Sequence, residues 1–298
     1  MARNPSTANV ALRCIYTLTM AGLISATTDQ LRPSLFDLAA TLTQLPATRV
    51  SSDVGALWLP AEDTVMRPWI EHYGVWEPIE ASFLRARLKP GMTLLDIGAN
   101  VGYFSILGAR SVGPSGTVVA IEPEPANYAL LCANIWEARV GNVEAIRAAA
   151  SSFSGPLPLS VSHDNCGDHR SFLERPGERV LAVPGVRVDE LLEADTRVDV
   201  IKIDIQGADH RAVLGMETVL ARWKPVLLVE FWPLGIDELG DRPIDVLSYY
   251  RSLGFSVSLV DEPGADSGWT LDAQLVETIR DSESGFATII LIPPASHE

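Results

Sequence analysis

In the segment LLDIGANVGYFS an acidic residue precedes a turn of small residues, and a second acidic residue follows at the end of the next apolar run. Their spacing could bind a ligand that carries a ribose. Asp96 ends an apolar run, and Gly98, Asn100 and Gly102 follow it in the pattern G-x-N-x-G. Glu122 lies 24 positions after Gly98, at the end of the next apolar run. A carboxylate there could accept both hydroxyls of a ribose. The glycines predict a turn in which the backbone approaches a ligand closely, because glycine has no side chain.

The pattern lacks the third glycine of G-x-G-x-x-G, the loop that cradles a pyrophosphate. A ligand without a diphosphate is therefore favoured, and an acid at position 96 suits an ammonium group. Together these features fit S-adenosylmethionine, which carries a ribose, an adenine, an aminoacyl tail and a sulfonium. A tight strand-to-helix turn without a ligand would explain the glycines alone, but Asp96, Asn100 and Glu122 at this spacing disfavour that alternative.

The elements that must position these residues alternate between strand and helix from Pro90 onward. Short apolar runs predict strands, and apolar residues at helical spacing predict the helices between them. The strand segments are TLLDIG, GTVVAIEP, NVEAIRAAA, VDVIKIDIQG and PVLLVEFWP. This alternation predicts an α/β fold with a mostly parallel twisted sheet and helices on both faces. The last two strands, FSVSLV and ATIILIPP, predict a C-terminal antiparallel hairpin, and residues 151–185 predict an irregular stretch.

Residues 1–65 are predicted to be a mainly helical N-terminal extension, and residues 66–298 are predicted to be the main domain. PSLFDLAATLTQL has helical periodicity, with Ser34 as a candidate N-cap. VGALWLP predicts a short strand, and the segment 67–88 predicts a helix in its second half, after a break at Gly74. The extension could be a lid, a dimer contact or a wall of the substrate site.

The net charge of −15 argues against nucleic acid and anionic lipid as partners, because both require basic surfaces. The three cysteines, Cys14, Cys132 and Cys166, form no C-x-x-C pair, so neither a zinc site nor a disulfide framework is predicted. The apolar stretch VALRCIYTLTMAGLISA is interrupted by Arg13 and is too short to cross a bilayer, which favours a packed helix. We therefore expect a cytoplasmic protein with a small-molecule acceptor and no membrane contact, with a homodimer as an open alternative.

Four segments together resemble the FkbM family of class I S-adenosylmethionine-dependent methyltransferases. They are LLDIGANVGYFSILGARSVGPSGTVVAIEPEPANYALLCANI, the preceding YGVWEPIEASFLRARLKP, VDVIKIDIQGADHRAVLGMETVL and KPVLLVEFWP. The third is similar to the family signature KIDVEGAE, but Gln206 replaces a glutamate and Asp209 is a shortened acid. The resemblance covers about residues 70–260 and implies a Rossmann-like class I methyltransferase fold. It also implies methyl transfer from S-adenosylmethionine to a hydroxyl of a secondary metabolite or its sugar.

The resemblance implies cofactor-binding roles for residues in five parts of the chain. The turn residues Asp96, Gly98, Ala99, Asn100 and Gly102 are expected around the methionine part, and Glu122 at the ribose. Ala149 and Ser151 are expected near the adenine, Tyr73 and Glu77 are expected to close over the cofactor, and Asp204 is expected to border it.

Transfer to an alcohol also requires removal of the hydroxyl proton. The polar segment HDNCGDHR, residues 163–170, lies between predicted strands, where a substrate loop belongs. His169 beside Asp168 is our leading candidate for the catalytic base, and a solvated loop is the alternative. Asp204 and Glu230 end successive strands, so both are expected in the same crevice as further catalytic candidates.

Mg²⁺ is a conceivable ligand of Asp204 and Glu230, because it prefers hard oxygen ligands. Two carboxylates are too few to establish a metal site, so no metal-binding residue is predicted. Lys202 faces the same side of its strand as Asp204, which predicts a structural ion pair. Trp76, Phe231, Trp232 and Tyr249 are expected either to line an apolar acceptor pocket or to belong to the core.

Three alternatives remain open at the level of sequence. One is N-methylation of an amine, and another is an NAD-dependent oxidoreductase, which the missing third glycine disfavours. The last is a binding module that keeps the cofactor pocket without catalysis.

Overall fold

The computed structural model describes residues 35–162, 165–171, 179–261 and 272–294. The predictions for Cys14, Ser34 and His163 therefore lie outside the described residues. In chain order the strands are β1 (Ala47–Ser52), β2 (Gly55–Pro60), β3 (Thr93–Ile97), β4 (Thr117–Ile121), β5 (Val143–Ile146), β6 (Ala149–Ala150), β7 (Gly155–Val161), β8 (Arg170–Ser171), β9 (Arg179–Val186), β10 (Val200–Ile203), β11 (Val226–Phe231), β12 (Ser256–Leu259) and β13 (Ala287–Ile292). The helices are α1 (Leu35–Gln44), α2 (Met66–Tyr73), α3 (Pro78–Arg87), α4 (Tyr103–Val112), α5 (Pro125–Ala138), α6 (Val188–Leu191), α7 (Asp209–Leu214), α8 (Glu217–Trp223), α9 (Pro233–Glu238), α10 (Pro243–Ser252) and α11 (Asp272–Arg280).

The central sheet has seven strands in the order β12-β13-β11-β10-β3-β4-β5. Strand β13 is antiparallel to its neighbours β11 and β12, and the other neighbouring pairs are parallel. The predicted α/β fold and the terminal antiparallel pair are confirmed. Helix α11 lies between β12 and β13, however, so these strands are not joined by the short connection that the sequence predicted.

Helices cover both faces of the sheet. Successive residues of a strand point to opposite faces, so neighbouring residues of one strand pack against different helices. On β3, Leu94 packs in one apolar cluster with Ile106 of α4 and Leu130 of α5. Its neighbour Leu95 packs in a second cluster, which includes Leu220 of α8. The near-continuous apolar runs of the parallel strands thus reflect burial on both sides.

The strand order reverses between β3 and β10, from which the chain continues outward in opposite directions. Open α/β sheets bind ligands at this point, beyond the carboxyl ends of the strands. Gly98, Asp204 and Trp232 directly follow the ends of β3, β10 and β11, and Glu122 directly follows β4. The predicted motif therefore lies at the ligand-binding edge of the sheet.

Residues 151–185 are not the irregular stretch that the sequence predicted. Strands β6, β9, β7 and β8 form a second sheet of four strands in that order. Leu157 and Leu159 of β7 are buried with Val183 of β9, and they alternate with Pro156 and Pro158. The prolines obscured this period-two pattern, because proline is rare in sheet interiors.

The helices also differ from the prediction in several places. Helix α2 occupies the first half of the segment 67–88, and α6, α9 and α11 were not predicted. The predicted single helix after Gly207 is divided into α7 and α8 at Gly215. A Cβ atom on Gly215 would lie 2.0 Å from the carbonyl oxygen of Ser151, so this close contact requires glycine where the first helix ends. Along the described residues, no helix combines the length and apolar character needed to cross a bilayer.

A buried amide helps to fix the N-terminal hairpin of β1 and β2 to the main domain. Asn134 of α5 accepts a hydrogen bond from the Trp58 backbone N–H at 2.6 Å and donates to the Trp58 carbonyl at 2.9 Å. It also donates to the carbonyl of Val101 at 2.8 Å. The described part of the predicted extension, residues 35–65, thus contains one helix and this hairpin, and the boundary at residue 65 stays a prediction.

Candidate active site

A cavity of about 950 Å³ opens at the carboxyl ends of β3, β4, β10 and β11. This volume is near the upper end for small-molecule sites, so it leaves room for a cofactor and part of an acceptor. Its lining includes most of the predicted site residues, namely Glu77, Gly98, Ala99, Asn100, Glu122, Ala149, His169, Asp204 and Glu230. The sequence therefore located the cavity from several separate segments.

Four predicted cofactor residues lie outside the lining of this cavity. Ser151 is fully buried, and its backbone N–H donates to the carbonyl of Val186 in the second sheet. Tyr73 is exposed and stacks on Trp69, with ring centroids 4.5 Å apart. Asp96 and Gly102 pack against other parts of the protein, and the cofactor contacts of these four residues stay predictions.

Gly98 faces protein backbone where a ligand was expected. Its φ is +79°, and a Cβ atom there would lie 1.9 Å from the carbonyl oxygen of Asp204. At Gly102 (φ +92°), a Cβ atom would lie 2.6 Å from Cδ1 of Leu131. Both glycines therefore make room for other parts of the chain, and the close approach of a ligand to their backbone stays a prediction.

Asp96 is buried near the cavity but does not line it. One of its carboxylate oxygens accepts from the Ser105 hydroxyl at 2.5 Å, and Asp96 lies in register with Lys202 across β3 and β10. Burial raises the pKa of Asp96, while Lys202 lowers it. Its other oxygen, Oδ1, is buried and has no hydrogen-bond partner among the described residues, so the ammonium-binding role stays a prediction.

Glu122 presents a carboxylate that the backbone holds in place. One oxygen accepts from the N–H of Asn100 at 2.8 Å, and the other accepts from the N–H of Glu124 at 2.9 Å. Each carboxylate oxygen can accept a second hydrogen bond, so two hydroxyl donors can still be bound. Burial raises the pKa of Glu122 to about 8, despite the two N–H donors.

Backbone strain is concentrated around the cavity. Five described non-glycine residues have positive φ, and three of them, Glu77 (41°), Asn100 (49°) and Gln206 (57°), line the cavity. The other two, Arg139 and Lys224, end helices, where this conformation is common. Strained residues cluster at functional sites, where the surrounding structure holds them in position.

A chain of hydrogen bonds links the polar side chains at the ends of β10 and β11. Lys202 donates to one oxygen of Asp204 at 2.9 Å, which confirms the predicted ion pair. Gln206 donates through Nε2 to the other oxygen of Asp204 at 3.1 Å and to Oε1 of Glu230 at 3.4 Å. Asp204 and Glu230 thus share one crevice, as predicted.

The pKa values of this group reflect many acids around one base. Burial raises the pKa of Glu230 well above its ordinary value, and Asp204 raises it further. Burial also raises the pKa of Glu77 to about 8, although Lys202 opposes the shift. Burial lowers the pKa of Lys202, but the attraction of Asp204, Glu77 and Asp96 outweighs it and leaves the value raised. Among the described residues, no group of three or more His, Cys, Asp or Glu side chains is arranged to hold a metal ion.

His169 lines the cavity, but its ring is oriented by the backbone. Its Nδ1 accepts from the N–H of Ser162 at 3.1 Å, so the neutral ring carries its proton on Nε2. A ring in that state is a donor at Nε2 and is poorly suited to remove a proton there. Arg170, which sequence reasoning missed, lines the cavity beside it and stacks at 4.1 Å on Trp232.

The predicted aromatic residues divide between cavity and core. Trp76 and Trp232 line the cavity, together with Trp69, which was not predicted. Phe231 is buried in the core, and Tyr249 of α10 is partly buried against the same apolar cluster. Inward and outward positions alternate along a strand, and this alternation separates Phe231 from its neighbour Trp232.

Asp63 connects the two segments that cover the cavity, although it does not line it. One oxygen accepts from the backbone N–H groups of Val65 and Arg67 at 3.2 and 2.7 Å, at the start of α2. The other accepts from the N–H of Cys166 at 3.0 Å. Asp63 is 2% exposed, so its carboxylate holds α2 and the loop 165–168 together in a buried position.

Asp63→Ala is expected to destabilise the protein by about 2–4 kcal/mol, because three N–H donors lose a charged acceptor. Asp63→Asn is the matched variant, since it can keep the acceptor toward α2 but presents an NH₂ group to Cys166. Urea unfolding measures the stability, and amide hydrogen exchange measures protection at Cys166. Protection at Cys166 that stays unchanged in the asparagine variant would contradict the proposed link.

The raised pKa of Glu122 leads us to expect that the protein loses stability as the pH rises. Its folded-state pKa of about 8 lies above the ordinary value of 4.5, so its stabilising effect is fully present below pH 4.5. That effect is lost as the pH rises toward 8, because only the unfolded state then releases the proton. Glu122→Gln is expected to lose less stability than the wild type between these values, measured by urea unfolding at several pH values. The exposed Glu217→Gln should follow the wild type, and parallel curves for Glu122→Gln would contradict the assignment.

Comparisons with known proteins agree with this arrangement. Residues 96–257, more than half of the chain, match the family described as the methyltransferase FkbM domain. The methyltransferase sdnD of Sordaria araneosa is 25% identical over 186 residues, which are 51% of this chain and 71% of that protein. The 31-O-demethyl-FK506 methyltransferase FkbM of Streptomyces tacrolimicus is 27% identical over 209 residues, 59% of this chain and 77% of that protein. A crystal structure of methyltransferase FkbM from Methylobacillus flagellatus KT has a TM-score of 0.44 at 15% identity, and the match covers 96% of this chain and 58% of that one.

Proposed function

The chain belongs to the FkbM family of S-adenosylmethionine-dependent methyltransferases, and from that premise we propose that it methylates a hydroxyl of a small natural product or its sugar. The observation that carries this proposal is the carboxylate of Glu230. Its Oε2 atom is buried at the cavity and has no hydrogen-bond partner among the described residues. An acceptor hydroxyl can donate a hydrogen bond to that atom.

The described side chains fit S-adenosylmethionine at the β3–β4 end of the cavity. In this proposal Glu122 accepts the two ribose hydroxyls, and the small side chains of Ala148 and Ala149 in the cavity lining border the planar base. The carboxamide oxygen of Asn100 is buried and has no partner among the described residues, so it can accept from a bound donor. When bound, the cofactor supplies an electrophilic methyl group.

The side chains of β10 and β11 act on the acceptor. Asp204 has both oxygens engaged, one by Lys202 and one by Gln206. Glu230 keeps one oxygen without a hydrogen bond, and its raised pKa makes its ionised form a stronger base than an ordinary carboxylate. We therefore assign proton removal to Glu230, with Asp204 as a fixed charge beside it and His169 as a hydrogen-bond donor.

The mouth of the cavity favours an acceptor with an apolar body. Val65, Trp69, Ile79 and Phe286 line it and are each 42–48% exposed. Clustered exposed apolar side chains of this kind mark binding sites. The cavity lining also disfavours an anionic acceptor, because its six carboxylates outnumber its two cations, Lys202 and Arg170. A neutral alcohol on an apolar skeleton satisfies both conditions, and the name of the FK506 relative describes a substrate of that kind for that protein.

Methyl transfer from carbon-13-methyl S-adenosylmethionine to a panel of hydroxylated macrolides and terpene glycosides tests the proposal. A new methyl signal at the chemical shift of an O-methyl group is the expected result. The same panel in amino form tests the alternative of N-methylation, which the acidic floor also accommodates. Labelled N-methyl products with no O-methyl product would overturn the proposal.

A further inference from the structure

Gln206 occupies the space between the two carboxylates of the cavity floor. Its Nε2 lies 3.1 Å from Oδ1 of Asp204 and 3.4 Å from Oε1 of Glu230. Its backbone is left-handed, with φ 57°, in the turn directly after β10. That turn is itself held, because Asp209 accepts from the N–H groups of Ile205 and Gly207 at 3.2 and 3.1 Å.

An amide suits this bridging position better than a carboxyl group of the same length. The NH₂ group of glutamine carries two hydrogens, so it can donate to two carboxylates at once. A protonated glutamate has one hydrogen and can donate to one of them, whereas an ionised glutamate would repel both. The glutamine is thus matched to a pair of acids that must lie close together.

The bridge leaves the two carboxylates in different states. Asp204 is fully engaged by Lys202 and Gln206, whereas Glu230 is engaged at Oε1 only. Oε2 of Glu230 is buried and has no hydrogen-bond partner among the described residues. Among the described residues, Gln206 is the hydrogen-bond donor that holds the Glu230 carboxylate.

Resting on the proposed function, we infer that Gln206 is a positioning residue that fixes Glu230 for proton removal and keeps its carboxylate ionisable beside Asp204. Hydrogen bonds donated to an ionised carboxylate favour that form, and a like charge next to it disfavours that form. Gln206 donates such a hydrogen bond and adds no like charge.

Charged groups from every neighbouring element act on Glu230. Asp204 follows β10, Asp209 belongs to α7 and Glu77 precedes α3, and all three disfavour its ionised form. Lys202 of β10 favours that form. A further carboxylate at position 206 would lie near Oε1 of Glu230, which is now 3.4 Å from Nε2 of Gln206, so its effect should stand out from this background.

Titration of Glu230 in the full chain tests the inference without an acceptor. Glutamate carboxyl groups are labelled with carbon-13, S-adenosylhomocysteine is bound, and the Glu230 signal is identified by its loss in Glu230→Gln. Gln206→Glu is expected to raise the pKa of Glu230 by about one unit or more, which is a tenfold smaller ionised fraction below that pKa. Gln206→Ala should raise it by a smaller amount, since it removes the donor without adding a charge.

Gln274→Glu is the matched control, because it adds the same charge at an exposed position on α11. It should leave the Glu230 titration unchanged. An unchanged titration in both Gln206→Glu and Gln206→Ala would overturn the inference, and the alanine variant keeps the test decisive if the glutamate variant does not fold. Since the signal does not depend on turnover, failure of this test is distinct from failure to find an O-methylated product.

The pH profile of methyl transfer to a hydroxyl acceptor found in the carbon-13 panel gives the catalytic readout. Its acid limb is expected to move to higher pH in Gln206→Glu, with at least about a tenfold loss at neutral pH that is recovered at high pH. A merely structural role would lower the rate equally at every pH and leave the limb in place, and that result would also overturn the inference.

Discussion

Gly98→Ala is expected to destabilise the protein by at least about 3 kcal/mol and to abolish measurable binding of S-adenosylhomocysteine. The left-handed backbone at φ +79° accounts for about 1 kcal/mol of that cost. The larger part comes from the Cβ atom, which would lie 1.9 Å from the carbonyl oxygen of Asp204. Relief of that overlap must move β3 away from β10 and displace the Asp204 side chain from the cavity floor.

Gly74→Ala separates the two contributions. Gly74 has a similar φ of +73°, but no described atom outside its immediate neighbours lies within 4 Å of the position of its Cβ. We expect a loss of about 1 kcal/mol in this variant, with cofactor affinity retained. Urea unfolding and calorimetry with S-adenosylhomocysteine measure both quantities. Equal losses in the two variants would show that the contact with Asp204 contributes nothing.

Glu230→Gln is expected to lower kcat by about 10²- to 10⁴-fold, the range typical for removal of a general base. Affinity for S-adenosylhomocysteine should stay close to that of the wild type, because Glu122 and Asn100 lie at the other end of the cavity. Stability should not fall, since a neutral amide replaces a buried carboxyl whose ionised form is disfavoured. Single-turnover methyl transfer, calorimetry and urea unfolding test these three expectations separately.

His169→Ala distinguishes this assignment from the earlier prediction of a histidine base. Loss of a hydrogen-bond donor should lower kcat by less than loss of the base, and it should leave the acid limb of the pH profile in place. A larger loss in His169→Ala than in Glu230→Gln, together with a shifted limb, would return the base to His169. Glu217→Gln, an exposed variant on α8, should match the wild type in both measurements.

The sequence determined the fold and the position of the ligand site. The alternation of apolar runs and helical periodicity fixed the order of β3, α4, β4 and α5, because these signals depend on residues close together in the chain. The same local signals placed Gly98, Glu122, Asp204 and Glu230 at strand ends, and the carboxyl ends of parallel strands meet at one edge of the sheet. The strands within residues 151–185 were not predicted, because the prolines of β7 obscured its alternation of buried and exposed residues.

Only the tertiary structure decided what each of these residues contacts. Gly98 is required by a carbonyl more than a hundred residues away in the chain, and Asp96 faces Lys202 across two strands. Gln206 departs from the family signature, and only the fold places its amide between Asp204 and Glu230. The physical reason is that hydrogen bonds, close approaches and desolvation depend on distances across the sheet, whereas sequence patterns report the local conformation and burial of each strand.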